Sequence, residues 1–396
     1  MTKNSLKNGP DELGYYGEGE SAMGGMAVGE TLMPALHELN LAFEDAIKDK
    51  AFLDEFAYYC KHYIGRPSPL YHAENLSNKL GGAKILFKQE HLNHTGSHKI
   101  TNSLFQVLLA KRMGKKNLIC ESGAGQHYSA TAAVAAKFGI PLIGVMGEVD
   151  IKRVNQNIIK AKHYGAKLKA VPGTLKEAIT DAIKTWITNP DYYYVCGSAV
   201  SSFPFPKIVQ FAQSIIGREI REQSMEQEGR LPDMICGCVG GGSNFIGSIH
   251  EFLDEPNIKK IGVEAAETAA LTHGTPNIMQ GMKSYMLASS DGSKSLGGSS
   301  LGAGIQYFGV GPQHSYLKDQ GAVTYTSATD KEILNAYKVV AQTEGISSAL
   351  EPMAAAAEVL KQAKGKPKDF IIVLSLCGRG EKDLDTIEEH MGKDFE

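Results

Sequence analysis

The chain has 396 residues and a formal net charge of −3, with 42% hydrophobic and 21% charged residues. This is the composition of a globular protein with one large core or two ordinary ones, and its weak, scattered charge excludes the basic surface that nucleic-acid binding needs. The first residues lack the apolar core of a signal peptide and no apolar run reaches transmembrane length, so we expect a cytoplasmic protein without membrane contact.

In chain order, a polar, Gly-rich leader extends to about Gly29, and residues Glu30 to Tyr63 then have helical spacing. From Lys84 onward, short apolar runs alternate with segments of helical period. The predicted strands are Ile85–Gln89, Leu118–Glu121, Leu142–Met146, Leu168–Val171, Tyr192–Cys196, Met234–Val239, Ile261–Val263 and Phe370–Leu376. The predicted helices are Ala130–Lys137, Leu175–Thr188, Lys207–Glu228 and Lys331–Thr343. Residues Ala265 to Gln320, rich in Gly and Ser, predict long loops that line a site or an interface.

This alternation predicts an α/β fold with largely parallel sheets that helices cover on both faces. With eight or more strands, two lobes fit better than one. Six cysteines fall mostly in the predicted strands, which favours reduced, buried thiols. No metal site is predicted, because Cys236 and Cys238 lack a second pair of ligands.

One lysine stands at a position suited to covalent catalysis. The polar segment from His91 to Asn102 places Lys99 where a helix is expected to begin. Taken alone, a solvated first-turn lysine is the simpler interpretation.

A second segment changes that interpretation. The apolar run Met234–Val239 predicts a buried strand, and the turn Gly240–Gly242 and a helix start at Ser243 and Asn244 follow it. Residues without side chains let backbone N–H groups close around an anion, and a helix N-terminus adds partial positive charge. A lysine that can form an imine and a separate cup for one phosphate together indicate pyridoxal phosphate (PLP).

Two further strand ends carry candidate chemistry. Glu121 ends a predicted strand, where open α/β sheets bind ligands, and small residues follow it up to His127. The N–H groups of such a helix start suit a substrate carboxylate, although a tight structural turn is the alternative. Cys377 follows another strand and offers a weak neutral donor to a ring nitrogen, with a buried core thiol as the alternative.

Motifs along nearly the whole chain carry a family resemblance. They are Met23-Gly-Gly-Met, Thr31-Leu-Met-Pro-Ala-Leu, Gly65-Arg-Pro-Ser-Pro-Leu, Leu92-Asn-His-Thr-Gly-Ser-His-Lys, Gly123-Ala-Gly-Gln-His, Gly229-Arg-Leu-Pro-Asp, Cys238-Val-Gly-Gly-Gly-Ser-Asn, Gly309-Val-Gly-Pro-Gln-His and Gly378-Arg-Gly-Glu-Lys-Asp. With these motifs the chain resembles the tryptophan synthase β chains, which are fold-type II PLP enzymes.

The resemblance implies β-replacement on L-serine through an aminoacrylate, with addition of indole. It implies that Lys99 holds PLP as the internal aldimine and transfers protons. It also implies that Glu121 is the acid and base that assists loss of the serine hydroxyl and activates the incoming nucleophile. The implied cofactor-binding residues are His98, Lys99, Asn102, Gly240, Gly241, Gly242, Ser243, Asn244, Glu351 and Cys377. The implied substrate-binding residues are Ser122, Gly123, Ala124, Gly125, Gln126, His127, Arg153 and Gln306.

The resemblance also implies a domain division and an assembly. The N-terminal lobe comprises residues 1–64 and 98–212, with a mobile subdomain at about 114–198. The C-terminal lobe comprises residues 65–97 and 213–396, with PLP between the lobes. A homodimer, an α-chain partner and a monovalent cation are further expectations from the family.

Two departures from the family pattern concern the reacting amino acid. Cys377 stands where the family usually has Ser; a thiol is still a neutral donor, so elimination and replacement stay favoured over racemisation. Gln306 stands where the family has an Asp that contacts the serine hydroxyl and pairs with an arginine on closing, here Arg153. Without that carboxylate, we expect a weaker closed state or an Arg153 that meets an anionic substrate.

Other departures concern the acceptor pocket. They are Tyr128, Ser129, Phe203, Glu267, Met279 and Gln280. They leave three hypotheses open. The first is tryptophan synthesis from L-serine and indole, and the second is a paralog with another nucleophile or an activated serine donor. The third is a catalytically silent regulatory subunit, which retention of Lys99, Glu121, Gln126 and Glu351 argues against.

Overall fold

The computed structural model describes residues 7–152, 155–289 and 294–394. The chain divides into two compact units. Unit 1 contains the described residues of Met1–Ala27, Ser68–Leu92 and Ser198–Glu396, and unit 2 contains Val28–Pro67 and those of Asn93–Gly197. These units differ from the expected lobes mainly in that residues 7–27 and 198–212 group with the C-terminal part of the chain.

The strands are β1 Tyr15–Tyr16, β2 Met23–Gly24, β3 Leu70–His72, β4 Lys84–Lys88, β5 Asn117–Glu121, β6 Leu142–Gly147, β7 Lys167–Val171, β8 Tyr192–Tyr194, β9 Met234–Cys238, β10 Lys259–Ala265, β11 Thr275–Met279, β12 Met282–Met286, β13 Thr324–Ala328 and β14 Ile371–Ser375. The helices are α1 Met33–Ala46, α2 Lys50–Tyr59, α3 Glu74–Leu80, α4 Lys99–Arg112, α5 Gln126–Phe138, α6 Glu148–Ile151, α7 Asn155–His163, α8 Leu175–Thr188, α9 Phe205–Gln213, α10 Ile215–Glu228, α11 Ser243–Ile249, α12 Ala270–His273, α13 Pro312–Asp319, α14 Asp330–Glu344, α15 Leu350–Gln362 and α16 Leu384–Met391.

Unit 1 is built on a six-stranded sheet of order β13-β10-β9-β14-β4-β3, parallel except for the edge strand β3. Alternate residues of the central strands β4, β9 and β14 enter separate cores on the two faces of the sheet: Cys236 of β9 packs with α3, α14, α15 and α16, and Ile235 packs with α10, α11 and α13. The parallel strands β9 and β14 end at the same edge, which brings the glycine turn Gly240–Gly242 and Cys377 to one side of unit 1. A small antiparallel sheet of order β1-β2-β12-β11 completes the unit.

Unit 2 contains a parallel sheet of order β7-β6-β5-β8. Helices α5 and α8 both pack on its central strands β5 and β6, and α4 packs on α5. Strand β5 ends at Glu121, so this carboxylate lies at the carboxyl edge of the sheet, as the sequence predicted.

The predicted α/β class is confirmed, and each predicted strand overlaps an observed one. Two predicted long helices are each two helices. Residues 30–63 break at Asp49, whose side chain caps α2 by accepting from Ala51 N at 2.9 Å. Residues 207–228 break at Ser214, between α9 and α10. The region expected to be irregular contains the hairpin β11-β12 and helix α13.

Candidate active site

Lys99 is the first residue of α4, as the sequence predicted. Its Nζ donates a hydrogen bond to the carbonyl of Gly197, at the end of unit 2. His98 precedes it as the N-cap residue and is buried, and Ser97 Oγ accepts from Lys99 N at 3.4 Å. Lys99 is therefore directed to a fixed backbone atom of its own unit and is not the solvated surface lysine of the simpler interpretation.

Glu121 meets the same peptide segment from the sheet. Its Oε1 accepts from Gly197 N at 3.0 Å, and Oε2 is buried without a hydrogen-bond partner in the described part of the chain. Burial raises the pKa of Glu121, and the nearby Tyr194 hydroxyl, the Gly197 N–H and the charge of Lys99 oppose that rise. Gly197 thus holds the two predicted catalytic side chains, one at its N–H and one at its carbonyl.

A buried amide network fixes the segment before Gly197. Asn102 Nδ2 donates to Cys196 O at 2.8 Å, and Gln106 Nε2 donates to the same carbonyl at 2.7 Å. Gln106 Oε1 accepts from Cys196 N at 3.0 Å. Asn102, predicted to bind the cofactor, therefore uses its amide nitrogen on the backbone, and its Oδ1 accepts from Gln106 Nε2 at 2.8 Å. Gln106, which the sequence analysis did not single out, acts with it, and its position one helical turn later on α4 is the signal that could have found it.

The loop of residues 122–127 opens α5, which begins at Gln126 after Gly125 with φ +71°. The first N–H groups of a helix lack intrahelical acceptors, so this turn presents donors at its open end. The ring of His127 does not take part: its Nε2 lies 2.9 Å from Val195 O, and burial lowers its pKa to about 3. His127 is therefore neutral, and its ring adds no positive charge at this helix start.

The glycine turn of unit 1 is enclosed at every position. A Cβ would lie 2.6 Å from Gly304 O if built on Gly240, 2.8 Å from Ser198 Cβ on Gly241, and 2.2 Å from the His314 ring on Gly242. Gly242 also has φ +92° and precedes α11. The turn is thus a cradle of backbone that tolerates no side chain, which fits the phosphate cup predicted from the sequence.

His314 holds this turn in place. Its Nε2 lies 2.8 Å from Gly242 O and its Nδ1 lies 2.8 Å from Tyr325 OH, and burial lowers its pKa to about 4. Because a carbonyl only accepts, the neutral ring carries its proton on Nε2 and accepts the Tyr325 hydroxyl proton at Nδ1. His314 lies in the motif Gly309-Val-Gly-Pro-Gln-His, and the sequence alone assigned it no role.

Asn244 connects the glycine turn to the thiols at the sheet edge. Its Nδ2 donates to Cys238 O at 3.3 Å, and its Oδ1 accepts from Ser375 Oγ at 2.8 Å. Cys238 Sγ lies 3.6 Å from Cys377 Sγ, and both side chains are buried. Cys377 is therefore one of a pair of thiols, a contact that the spacing of the two residues along the chain does not indicate.

Glu351 occupies the first turn of α15 in unit 1. Its Oε1 accepts from Gly304 N at 2.7 Å and from Lys382 Nζ at 2.9 Å, while Oε2 is buried and makes no hydrogen bond to the described residues. Burial opposes ionisation, but the charge and hydrogen bond of Lys382 prevail and lower the pKa of Glu351. The unsatisfied oxygen marks a place where a bound group would complete the site.

Comparison with known proteins decides the family. The sequence profile of the family described as pyridoxal-phosphate dependent enzyme matches residues 62–378. A curated tryptophan synthase beta chain from Allorhizobium ampelinum is 49% identical over 401 residues, covering 98% of each chain. The chain belongs to the tryptophan synthase β family of PLP-dependent enzymes.

Solved structures of lower identity share the fold. A fungal L-serine ammonia-lyase from Rhizomucor miehei aligns with a TM-score of 0.66 at 18% identity, covering 83% of this chain and 98% of the lyase. A mutant O-ureido-L-serine synthase, with O-ureido-L-serine bound, aligns with a TM-score of 0.61 at 19% identity, covering 82% of this chain and 91% of the synthase. At these identities the likeness shows only that this chain shares the fold of the two enzymes.

Arg153 and Gln306 are the remaining predicted substrate-binding residues of this tryptophan synthase β family member. Arg153 lies outside the described residues. Gln306 Nε2 donates to Gly298 O at 3.2 Å, a loop carbonyl of unit 1. An amide at this position offers a donor where the family's Asp offers only acceptors.

The positions at which the chain departs from the β family are mostly packed in the interior. The ring of Tyr128 is fully buried and covers Gly144 of β6, where a Cβ would lie 2.2 Å from that ring. Phe203 is buried against Gly14. Met279 packs with other methionines and on Gly309, whereas Glu267 is exposed.

Proposed function

We propose that this protein catalyses PLP-dependent β-replacement, joining L-serine and indole to give L-tryptophan. The observation that carries the proposal is the 49% identity to a tryptophan synthase beta chain over nearly the whole length, with Lys99, Glu121 and the glycine turn all present. The residues fit the cofactor: a half-buried lysine, a backbone cradle that excludes side chains, and an unsatisfied Glu351 oxygen.

When bound, PLP supplies an electron sink for the α carbon of the amino acid. In this proposal Lys99 holds the cofactor covalently through Nζ, and the glycine turn with Ser243, Asn244 and His98 holds its phosphate. Cys377 would donate weakly to the ring nitrogen without protonating it, and Glu351 would contact the ring. Asn102 supports the site through the Cys196 carbonyl.

The protein's own groups then direct the chemistry. The backbone of residues 122–127 binds the amino-acid carboxylate at the open end of α5. Lys99 Nζ takes the α proton, and the carboxyl of Glu121 protonates the leaving hydroxyl and receives a proton from the incoming nucleophile. The raised pKa of Glu121 suits this exchange, because more of the carboxyl then stays protonated near neutral pH and can donate to the leaving hydroxyl. The resemblance to the family adds Gln306 and Arg153 as residues that bind the amino acid.

Further parts of the proposal follow from the family. They are a homodimer, an α-chain partner, a monovalent cation, and a division into an N-terminal lobe of residues 1–64 and 98–212, with a mobile subdomain at about 114–198, and a C-terminal lobe of residues 65–97 and 213–396. A cytoplasmic location, expected from the sequence, is also proposed. The described residues contain no helix long and apolar enough to cross a bilayer.

The test begins with the lysine. Borohydride reduction of the PLP-loaded protein followed by peptide mass mapping is expected to place the adduct on Lys99. The variant K99A is expected to lose both the adduct and tryptophan formation from L-serine and indole. K111M is the matched control, since Lys111 lies on the same helix, is half-exposed and pairs with Glu55 at 3.1 Å. An adduct elsewhere, or unchanged turnover in K99A, contradicts the proposal.

A second candidate keeps the cofactor and changes the co-substrate. Gln306 favours it, because an amide cannot form the charge pair of the family's Asp with an arginine. Consumption of L-serine that leaves indole untouched would indicate another acceptor. An adduct on Lys99 without any response to L-serine would indicate an activated serine donor, and a protein that binds no PLP would be a silent regulatory subunit.

A further inference from the structure

Unit 1 contains a buried ion cluster that the sequence analysis did not predict. Lys382 Nζ lies 2.9 Å from Glu351 Oε1 and 2.7 Å from both carboxylate oxygens of Asp383. The side chains of all three are 7–8% exposed. Three ionised groups removed from water are costly unless each has a defined partner, so a cluster of this kind needs a reason.

The two carboxylates differ in what else they hold. Asp383 Oδ2 accepts from Leu350 N at 2.9 Å and thereby caps the first turn of α15. Glu351, the next residue along that helix, accepts from Gly304 N at 2.7 Å. Asp383 therefore anchors the helix, whereas Glu351 projects from it to a separate loop.

The Gly304 peptide lies between Glu351 and the glycine turn. A Cβ on Gly304 would lie 2.7 Å from Glu351 Oε1, and a Cβ on Gly240 would lie 2.6 Å from Gly304 O. Thr268 Oγ1 fixes the following residue by donating to Ile305 O at 3.0 Å. A displacement of the Glu351 carboxylate is therefore transmitted through one residue, from the N–H of Gly304 to its carbonyl, to the first residue of the turn.

We propose that Lys382 is a positioning residue: its ammonium holds the Glu351 carboxylate against the Gly304 peptide and thereby sets the shape of the glycine turn that receives the phosphate. This inference rests on the proposed function, since it assumes that the turn and Glu351 serve the cofactor. Two directions of pKa change agree with it. Despite burial, the two carboxylates raise the pKa of Lys382, and Lys382 lowers the pKa of Glu351.

The effect of losing Lys382 follows from charge. Without its cation, Glu351 is a buried carboxylate with one backbone donor, and burial then favours the protonated form. A neutral carboxyl is a weaker acceptor for Gly304 N than a carboxylate, so the contact loosens. The affinity for PLP is expected to fall at least about tenfold in K382M, because removing one partner of a buried charge pair is strongly unfavourable.

The experiment measures PLP binding to the apoprotein for wild type and three variants: K382M, E351Q and the double variant. Lys382 acts through Glu351 in this proposal. The K382M substitution is therefore expected to weaken PLP binding about tenfold or more when Glu351 is retained, and by less than about threefold when it is made in E351Q. A purely structural role, such as leaving Asp383 unpaired, weakens binding equally in both backgrounds and overturns the proposal. The absorbance maximum of bound PLP is expected to shift in the same direction in K382M and in E351Q.

Controls separate this test from the proposed function and from misfolding. K361M removes a half-exposed lysine of α15, the helix that carries Glu351. Lys361 pairs with Glu332 at 2.8 Å, and its loss is expected to leave PLP binding unchanged. If K382M does not fold, G304A tests the same link with Lys382 intact, and unaltered PLP affinity in G304A overturns the proposal. A wild-type protein without a PLP adduct on Lys99 refutes the proposed function itself, whereas an intact adduct with normal K382M binding refutes only the role of Lys382.

Discussion

The substitution G197A tests whether one glycine sets the alignment of the two predicted catalytic side chains. A Cβ at this position would lie 2.5 Å from His127 Cδ2 and 3.0 Å from Glu121 Oε1. The first distance is about 0.9 Å short of the 3.4 Å at which ordinary van der Waals contact begins. His127 cannot easily move away, because its Nε2 is held at 2.9 Å from Val195 O. The Gly197 backbone must therefore shift.

That shift moves both hydrogen bonds of Gly197 together, the one from Lys99 and the one to Glu121. A displacement of about 1 Å costs roughly 100-fold in rate when it misaligns reacting groups, so kcat is expected to fall by about two orders of magnitude. Overpacking is expected to lower the free energy of unfolding by about 1–3 kcal/mol.

The assay is tryptophan formation from L-serine and indole, measured together with thermal unfolding and with borohydride mapping of the Lys99 adduct. G29A is the matched control, since a Cβ on Gly29 of the same unit meets nothing within 4 Å. Turnover in G197A within threefold of wild type would refute the reasoning, because the predicted misalignment would then be absent.

Three other outcomes are expected. E121Q keeps an oxygen that accepts from Gly197 N and is expected to keep the lysine adduct, but its turnover should fall at least about 100-fold. Substantial residual turnover would show that Glu121 is not the acid and base of the reaction. Burial raises the pKa of Glu264 from its ordinary value of 4.5 to about 7, so its stabilising contribution is complete below pH 4.5 and is lost as pH rises to about 7. The free energy of unfolding of E264Q should therefore increase by about 3 kcal/mol relative to that of wild type as the pH rises through this range, and chemical denaturation at several pH values would measure it. G242A adds a side chain at φ +92°, 2.2 Å from the His314 ring, and is expected to abolish tight PLP binding, as equilibrium dialysis would detect.

The regular elements were predictable because their periodicity is strong, as in β9 and α8. The hairpin β11-β12 was missed for a specific reason. Its two-residue turn, Gln280-Gly281, has φ +47° and +77°, whereas such turns usually carry Asn or Asp before Gly. A glutamine gives no turn signal at that position.

The placement of candidate site residues was predictable where local sequence is distinctive, as for Lys99 at the start of α4 and for the glycine turn before α11. The supporting residues were not. Lys382 stands beside Asp383 in a polar stretch and has the sequence pattern of a surface ion pair; only its contact with the buried first turn of α15 reveals its burial. Tyr128 was interpreted as a change in the acceptor pocket, and in the structure its ring covers Gly144. Contacts between elements far apart in the chain carry this information, and no local pattern records it.

The contact between Tyr128 and Gly144 also predicts that these two positions change together among relatives. A tyrosine fits against β6 only because the residue opposite it is a glycine, so the two positions share one fixed volume. Relatives with glycine at the position of Tyr128 are therefore expected to carry a branched aliphatic side chain at the position of Gly144. Either replacement alone would leave a void or a collision, and the pair is expected to have been inherited as compensating changes.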